Sequence, residues 1–153
     1  MEYLHPDDII LNIKGRSKKN IISFLLEHLS KRKRINKKDK KNILKAIMQR
    51  ESMGSTAIGG YIALPHARLS CIKDIIICVG ISKEGVNFDS LDEEPVHIIV
   101  LLLSNQKNAG LHLKTLAHLA KILRDRSFVQ KLKNIQTKEE AIDLVNRQHN
   151  LLK

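Results

Sequence analysis

A histidine that follows a proline near the middle of the chain is the side chain best suited to chemistry. Pro65-His66 comes directly after the short apolar run 61–64, and the stretch from Gly54 to Gly60 holds three of the seven glycines. Because glycine permits sharp turns and proline fixes its own φ and lacks an N–H, we expect the backbone to leave a strand here. His66 would then lie at a strand end, held in place but accessible to a reactant.

An accessible imidazole without a metal can act as a nucleophile at neutral pH. It is partly unprotonated there, and a ring nitrogen can carry a phosphoryl group as a phosphoramidate. The phosphoryl oxygens need cations or hydrogen-bond donors as charge spreads over them during an in-line transfer. Arg50 and Arg68 are candidate cations for that task. From the chemistry alone, a plain turn residue at position 66 stays open as the alternative.

Sequence motifs for other kinds of site are absent. The chain has no Gly-x-x-x-x-Gly-Lys-Ser/Thr and no Gly-x-Gly-x-x-Gly between a strand and a helix, so a nucleotide has no evident cradle. Ser55 lies in no Gly-x-Ser-x-Gly elbow, which argues against a serine hydrolase. His112 and His118 are six residues apart and would lie on different faces of a helix, and no cluster has metal-ligand spacing. We therefore expect neither a metal nor a cofactor.

The hydrophobic patterns change from helical to strand-like and back to helical along the chain. Apolar residues first recur every three or four positions, then form β-branched and continuous runs, and then return to the helical period. This order predicts a single layered α/β domain over residues 1–153, with a mixed sheet flanked by helices. The predicted elements are two helices after Ser17 and up to Arg50-Glu51, strands at Ile75–Val79, Val86–Phe88 and Val96–Leu103 with a turn at Lys83–Gly85, and helices over Leu113–Leu123 and Lys138–Gln148.

The positive charge of the protein is concentrated in one segment. The net charge is +11, and residues 14–50 contain fourteen Lys and Arg against two acidic residues. Such a field favours anionic partners, although a solvated lysine-rich face is the alternative. The role of the tract Lys31–Lys41 stays open at this point.

The composition also predicts where the protein works. No basic start precedes an apolar run at the N-terminus, and no apolar stretch approaches about 18 residues, so we expect a soluble cytoplasmic protein without membrane insertion. Cys71 and Cys78 match no zinc pattern. We interpret both as buried thiols in a reducing compartment.

The residues around His66 resemble the signature of the type-2 enzyme IIA domains of the bacterial phosphoenolpyruvate-dependent phosphotransferase system, the fructose, mannitol and nitrogen-regulatory family. The resemblance rests on Gly54-Ser55-Thr56-Ala57-Ile58-Gly59 followed by Ile62-Ala63-Leu64-Pro65-His66. Arg50-Glu51, the buried run 96–103 and His112-Leu113-Lys114-Thr115-Leu116-Ala117 occur in the family's order. The resemblance covers roughly Ile9 to Val145 and implies the enzyme IIA type-2 fold.

The resemblance also implies roles for particular residues. His66 would be the nucleophile phosphorylated by the histidine-containing phosphocarrier protein, Arg50 would stabilise the phosphate, and His112 would be the second active-site histidine. Further candidates for the phosphate site are Arg68, Ser55, Thr56 and Glu51. Of these, Ser55 and Thr56 are interpreted first as shaping the turn, and Glu51 could orient Arg50 or cap a helix. The protein would be a phosphocarrier rather than an independent enzyme.

The family has a nitrogen-regulatory branch and a sugar-specific branch, and the sequence leaves both open. A free-standing chain ending at Lys153 favours the nitrogen-regulatory branch, whose partners are regulatory target proteins. The alternative is a sugar-specific enzyme IIA that passes the phosphoryl group to a cysteine of a IIB domain. Gly60 and Ala67 depart from the commoner Asn and Gly. A second alternative is a basic nucleic-acid-binding regulator with a non-catalytic His66, although nucleic acid is not the expected partner. The sequence names no sugar, target or oligomeric state.

Overall fold

Six strands form one mixed sheet in a computed structural model that describes residues 4–151. None of the helices over those residues has the length and apolarity needed to cross a membrane. The strands are β1 (Ile9–Ile10), β2 (Ala57–Gly59), β3 (Ile62–Ala63), β4 (His66–Arg68), β5 (Ile76–Val86) and β6 (Val96–Ser104). The helices are α1 (Lys18–Lys31), α2 (Lys40–Ser52), α3 (Ala109–Ile122), α4 (Arg126–Lys133) and α5 (Lys138–Leu151), with short 3₁₀ turns at Pro6–Asp8 and Lys37–Asp39.

The strand β6 is the centre of the sheet. It pairs antiparallel with β5 on one side, and on the other side it pairs in parallel with both β3 and β4. The strand β1 extends the sheet beyond β5, and β2 extends it beyond β3. Every residue of β6 is buried, which is the burial expected for a continuous apolar run in a strand covered on both faces.

Side chains of β6 alternate between two hydrophobic cores. Ile98, Val100 and Leu102 pack in the core that α3, α4 and α5 cover. Ile99, Leu101 and Leu103 pack in the other core, beneath α1 and α2. The alternation follows from the two-residue period of a strand. Helices therefore cover both faces of the sheet, and the predicted layered α/β domain with a mixed sheet is confirmed.

The chain leaves the strand β3 just before Pro65, as expected, but it returns to the same sheet at His66. The strand β3 ends at Ala63 and β4 begins at His66, and both keep one register along β6, with Ile62 opposite Ile98 and His66 opposite Leu102. Pro65 has no N–H to donate, but its carbonyl oxygen accepts a hydrogen bond from the Leu102 N–H at 3.0 Å. His66 therefore begins a strand instead of following one.

The helix α4 was missing from the predicted elements. It has only eight residues, and its buried side chains are Phe128, Val129 and Leu132. A stretch this short shows about two turns of the helical period, which is too little to separate a helix from a loop. Its start is defined by Asp125, whose carboxylate accepts hydrogen bonds from the backbone N–H groups of residues 127 and 128.

Two further expectations were wrong. The predicted turn at Lys83–Gly85 lies inside β5, where the pairing with β6 shifts register between Ile81 and Val86 and the strand continues. Cys71 is exposed, whereas Cys78 is buried as predicted, and burial raises the pKa of the Cys78 thiol to about 12.

A substitution at Gly80 tests the close packing of α1 on the sheet. A Cβ at Gly80 would lie 2.6 Å from Cδ1 of Ile13 and 3.0 Å from Cδ2 of Leu25. Because the added methyl groups of a valine must displace both neighbours, we expect Gly80→Val to lower the free energy of unfolding by about 1–3 kcal/mol in urea denaturation. The matched control is Gly110→Ala, where no atom lies within 4 Å of the added Cβ and no loss is expected. Equal stability of Gly80→Val and wild type would contradict this packing.

Candidate active site

His66 is half-buried at the start of β4, with one ring nitrogen already bound. Its Nδ1 lies 2.8 Å from the carbonyl oxygen of Leu64. Because a carbonyl oxygen only accepts, Nδ1 must carry the proton, and Nε2 keeps its lone pair. Burial is the main cause that lowers the pKa of His66 below its usual value, and the charges of Arg50 and Arg68 lower it further against the opposing effect of the Leu64 hydrogen bond. The neutral form of the imidazole is therefore favoured at pH 7.

His112 faces His66 from the first turn of α3. The two ring centroids are 5.4 Å apart and the ring planes are tilted by 54°. His112 is only 3% exposed, and its Nδ1 lies 2.5 Å from the hydroxyl oxygen of Ser104. Burial, followed by the nearby His66 and Arg68, lowers the pKa of His112 to about 4. Both histidines of this pair are therefore neutral near pH 7.

The register of β4 against β6 explains why these groups meet. His66 is opposite Leu102, and Arg68 is opposite Ser104. Residues in register on neighbouring strands point to the same face of a sheet, and Leu102 belongs to the core beneath α3. His66, Arg68 and Ser104 are therefore directed to the face on which α3 carries His112.

Arg50 reaches the site from the last turn of α2. Its Nη1 donates a hydrogen bond to the carbonyl oxygen of Gly54 at 2.7 Å, which ties the glycine-rich loop to the helix end. A guanidinium carries several N–H donors, so this contact leaves others for an anionic ligand. Its charge also lowers the pKa of His66, as expected for a cation close to the ring.

Glu51 is buried and holds the glycine-rich loop through hydrogen bonds to Thr56. It is 5% exposed, and its carboxylate accepts hydrogen bonds from the backbone N–H of Thr56 at 3.1 Å and from the Thr56 hydroxyl. Lys18 of α1 completes the arrangement, with its Nζ 3.0 Å from Oε2 of Glu51. The Thr56 hydroxyl proton is therefore used within the fold.

Ser55 is also engaged by the loop. Its hydroxyl donates to the carbonyl oxygen of Phe88 and accepts from the N–H of Ala57 at 3.1 Å. Ser55 and Thr56 thus hold the glycine-rich loop against its neighbours. This arrangement agrees with the interpretation that they shape the turn.

The structure brings His66, His112, Arg50 and Arg68 to one place, as their sequence motifs suggested, and adds two residues that the motifs did not indicate. Ser104 could have been noticed as the polar residue that ends the apolar run of β6, whereas nothing in the sequence pattern distinguishes Lys18 from its basic neighbours. His118 lies elsewhere on α3, with its Nε2 2.6 Å from Nδ1 of His149. Within residues 4–151 no group of three or more His, Cys, Asp or Glu side chains could hold a metal ion.

Comparison with known proteins identifies the family. The family model described as "Phosphoenolpyruvate-dependent sugar phosphotransferase system, EIIA 2" matches residues 2–148. The fructose-specific EIIABC component of Bacillus subtilis (strain 168) is 33% identical over 146 residues, which are 95% of this chain, and the match spans only 23% of that relative's length. The nitrogen regulatory protein of Bradyrhizobium diazoefficiens is 30% identical over 128 residues, covering 84% of this chain and 82% of the relative.

A solved structure gives the same assignment. The nitrogen regulatory protein IIA-Ntr from Neisseria meningitidis superposes with a TM-score of 0.85 and 27% sequence identity, covering 94% of this chain and 97% of that one. Family model, sequence relatives and structure agree over nearly the whole chain. It belongs to the type-2 EIIA family of the phosphoenolpyruvate-dependent phosphotransferase system.

Proposed function

We propose that this protein receives a phosphoryl group on Nε2 of His66 from a histidine-containing phosphocarrier protein. The observation that carries the proposal is the hydrogen bond from Nδ1 of His66 to the carbonyl oxygen of Leu64, because it leaves Nε2 as the free nucleophile. Family membership supports phosphoryl transfer as the reaction class. We also propose that the protein works in the cytoplasm, as the family's phosphoryl relay suggests.

The transfer exchanges one phosphorus–nitrogen bond for another. The lone pair of Nε2 attacks phosphorus as the bond to the donor's nitrogen breaks, and the donor keeps that electron pair. The ring of His66 becomes cationic as the new bond forms, and the carbonyl oxygen of Leu64, which accepts a hydrogen bond from Nδ1–H, partly offsets that charge. A ring with a lowered pKa is also a good leaving group, so the phosphoryl group can be passed on.

The surrounding cations and donors suit the phosphoryl oxygens. Arg50 and Arg68 both act electrostatically on His66, and we assign them to the negative charge that develops during transfer. His112 is neutral, so it can offer a single N–H. We propose that the Ser104 hydroxyl donates to Nδ1 of His112 and thereby keeps the proton on Nε2, directed toward the phosphoryl group.

We assign the protein to the nitrogen-regulatory branch, in which regulatory target proteins read its phosphorylation state. The match to IIA-Ntr over nearly all of both chains supports this assignment. The alternative is a fructose- or mannitol-type enzyme IIA that passes the phosphoryl group to a cysteine of a IIB domain. The 33% identity to the fructose-specific EIIABC component favours that alternative.

Phosphorylation by a reconstituted relay tests the proposed function. With labelled phosphoenolpyruvate, enzyme I and phosphocarrier, we expect label on His66 that is lost in acid and stable in alkali, as a phosphoramidate is. His66→Ala should take up no label, because the nucleophile is gone, and His5→Ala is the matched control in an exposed histidine. Label mapped to another residue, or uptake retained by His66→Ala, would contradict the proposal.

Removal of Arg50 tests the electrostatic assignment. We expect Arg50→Ala to slow the initial rate of phosphoryl transfer by about 10- to 1000-fold, the usual order for one charge-stabilising donor, while Arg50→Lys retains part of the rate. The rate of Arg68→Ala, measured in parallel, shows how much each arginine contributes to transfer. The exposed Arg16→Ala is the control. Rates within about threefold of wild type for both Arg50→Ala and Arg68→Ala would show that neither cation stabilises the transition state.

The tautomer of His112 tests the role of Ser104. In ¹⁵N NMR spectra of the wild type we expect His112 with its proton on Nε2 and a titration midpoint at about 4, well below that of a solvated histidine. Between that pH and about 6.5 the unfolded chain binds more protons at this histidine than the folded chain does. The contribution of His112 to the free energy of unfolding therefore decreases as the pH falls through this range. Ser104→Ala should mix the tautomers and slow transfer, and Ser104→Thr should restore both. If His112 keeps the same tautomer in Ser104→Ala, Ser104 does not position its proton.

A further inference from the structure

The basic tract between α1 and α2 contains two kinds of cation. Its arginines form ion pairs within the fold: Arg34 pairs with the buried carboxylate of Asp8, and Arg32 lies 3.1 Å from Asp7 and 3.8 Å from Asp8. These contacts tie the N-terminal segment to the end of α1. The arginines are therefore occupied by the fold itself and contribute little to any partner.

The lysines of the same tract are different. Lys40 pairs with Glu27 across the two helices, and the hydrogen bond and charge of Lys40, together with Lys31 and Lys37, hold the pKa of the Glu27 carboxyl below its usual value. The acidic group on this face is thus already neutralised. In this tract, the exposed lysines that form no ion pair with any residue of the 4–151 range are Lys31, Lys33, Lys37, Lys38 and Lys41.

Two of these lysines, Lys37 and Lys41, line a largely apolar groove between α1 and α2. The groove has a volume of about 550 Å³ and is lined by Phe24 and Leu26 of α1 and Leu44 of α2, with Lys37 and Lys41 at its edge. Phe24 is 45% exposed, so an aromatic ring lies in solvent within a basic surface. An exposed aromatic at the centre of a charged rim is the arrangement of a protein interface, where the apolar centre supplies most of the affinity.

We propose that this groove binds an acidic amphipathic segment of a partner protein. An apolar side chain of the segment would cover Phe24 and Leu44, and its carboxylates would pair with Lys37 and Lys41. A nucleic-acid backbone has no apolar group for the floor, and one aromatic ring cannot form the stacking series that binds single strands. The charge is complementary to carboxylates, and the floor is complementary to a helix face.

The groove is separate from the proposed phosphorylation site. Lys41 and Arg50 lie near opposite ends of α2, and nine residues of helix span about 14 Å. A segment in the groove would therefore leave His66 open to a phosphocarrier. Binding in the groove does not depend on the proposed chemistry of His66, so the two proposals can fail independently.

Fluorescence anisotropy with a designed peptide tests the groove. The labelled peptide has about 14 residues, with leucine on one helical face and glutamate elsewhere, and we expect saturable binding that weakens as salt increases. Phe24→Ala and the double variant Lys37→Glu/Lys41→Glu should each weaken binding about tenfold or more. His66→Ala should bind as the wild type does.

Matched controls separate the groove from the general positive charge. Lys121→Glu/Lys131→Glu makes the same charge change on α3 and α4, across the sheet, and should change the affinity by less than about twofold. A peptide with glutamine in place of glutamate, and one with its leucines spread around the helix, should both bind weakly. The proposal is overturned by absent binding of the acidic peptide, by equal losses in both double-lysine variants, or by an unaltered affinity in Phe24→Ala. Tighter binding of duplex DNA or of phosphatidylglycerol vesicles at the same lysines would also overturn it.

Discussion

The parallel pairing of β4 with β6 is the constraint on which the site depends. It places His66 opposite Leu102 and Arg68 opposite Ser104, so that both face the layer containing α3. A slip of one residue would turn His66 toward the opposite core and away from His112. The register survives the proline because the carbonyl oxygen of Pro65 still accepts a hydrogen bond from the Leu102 N–H. The pairing continues beyond β4, where the Leu69 N–H donates to the carbonyl oxygen of Ser104.

The electrostatics of the site keep both imidazoles uncharged. Burial is the largest cause of the lowered pKa of His66 and of His112, and the arginine charges act in the same direction. A cation near a nucleophile therefore has two effects: it keeps the lone pair available, and it attracts the anionic group to be transferred. For the proposed transfer, a weakly basic ring is also the better leaving group when the phosphoryl group is passed on.

Part of the site was predictable because it lies in one continuous stretch. The glycine-rich loop, Pro65-His66 and the two flanking arginines are close in sequence, and their residue types already suggest His66 as the candidate for chemistry. Ser104 and Lys18 were not predictable in this way. Lys18 acts through a contact with Glu51, 33 residues away, and Ser104 acts through a contact between the end of β6 and the first turn of α3. The residue types alone do not show that these side chains meet.

The layered fold could also be inferred from periodicity, since β6 is apolar throughout and the long helices show their 3.6-residue period. The short helix α4 and the continuous β5 could not, because two helical turns or a register shift carry too weak a pattern. The difference between the arginines and the lysines of the basic tract is likewise a matter of contacts: Asp8 is buried next to Arg32 and Arg34, whereas the lysines face solvent. Residue order thus specified the candidate histidine, the layers and the charge. The folded backbone at Leu64 decided which nitrogen of His66 is free, because its carbonyl oxygen binds Nδ1. The packing of distant segments decided which cations are occupied and where the apolar groove lies, because these depend on side chains that meet only after folding.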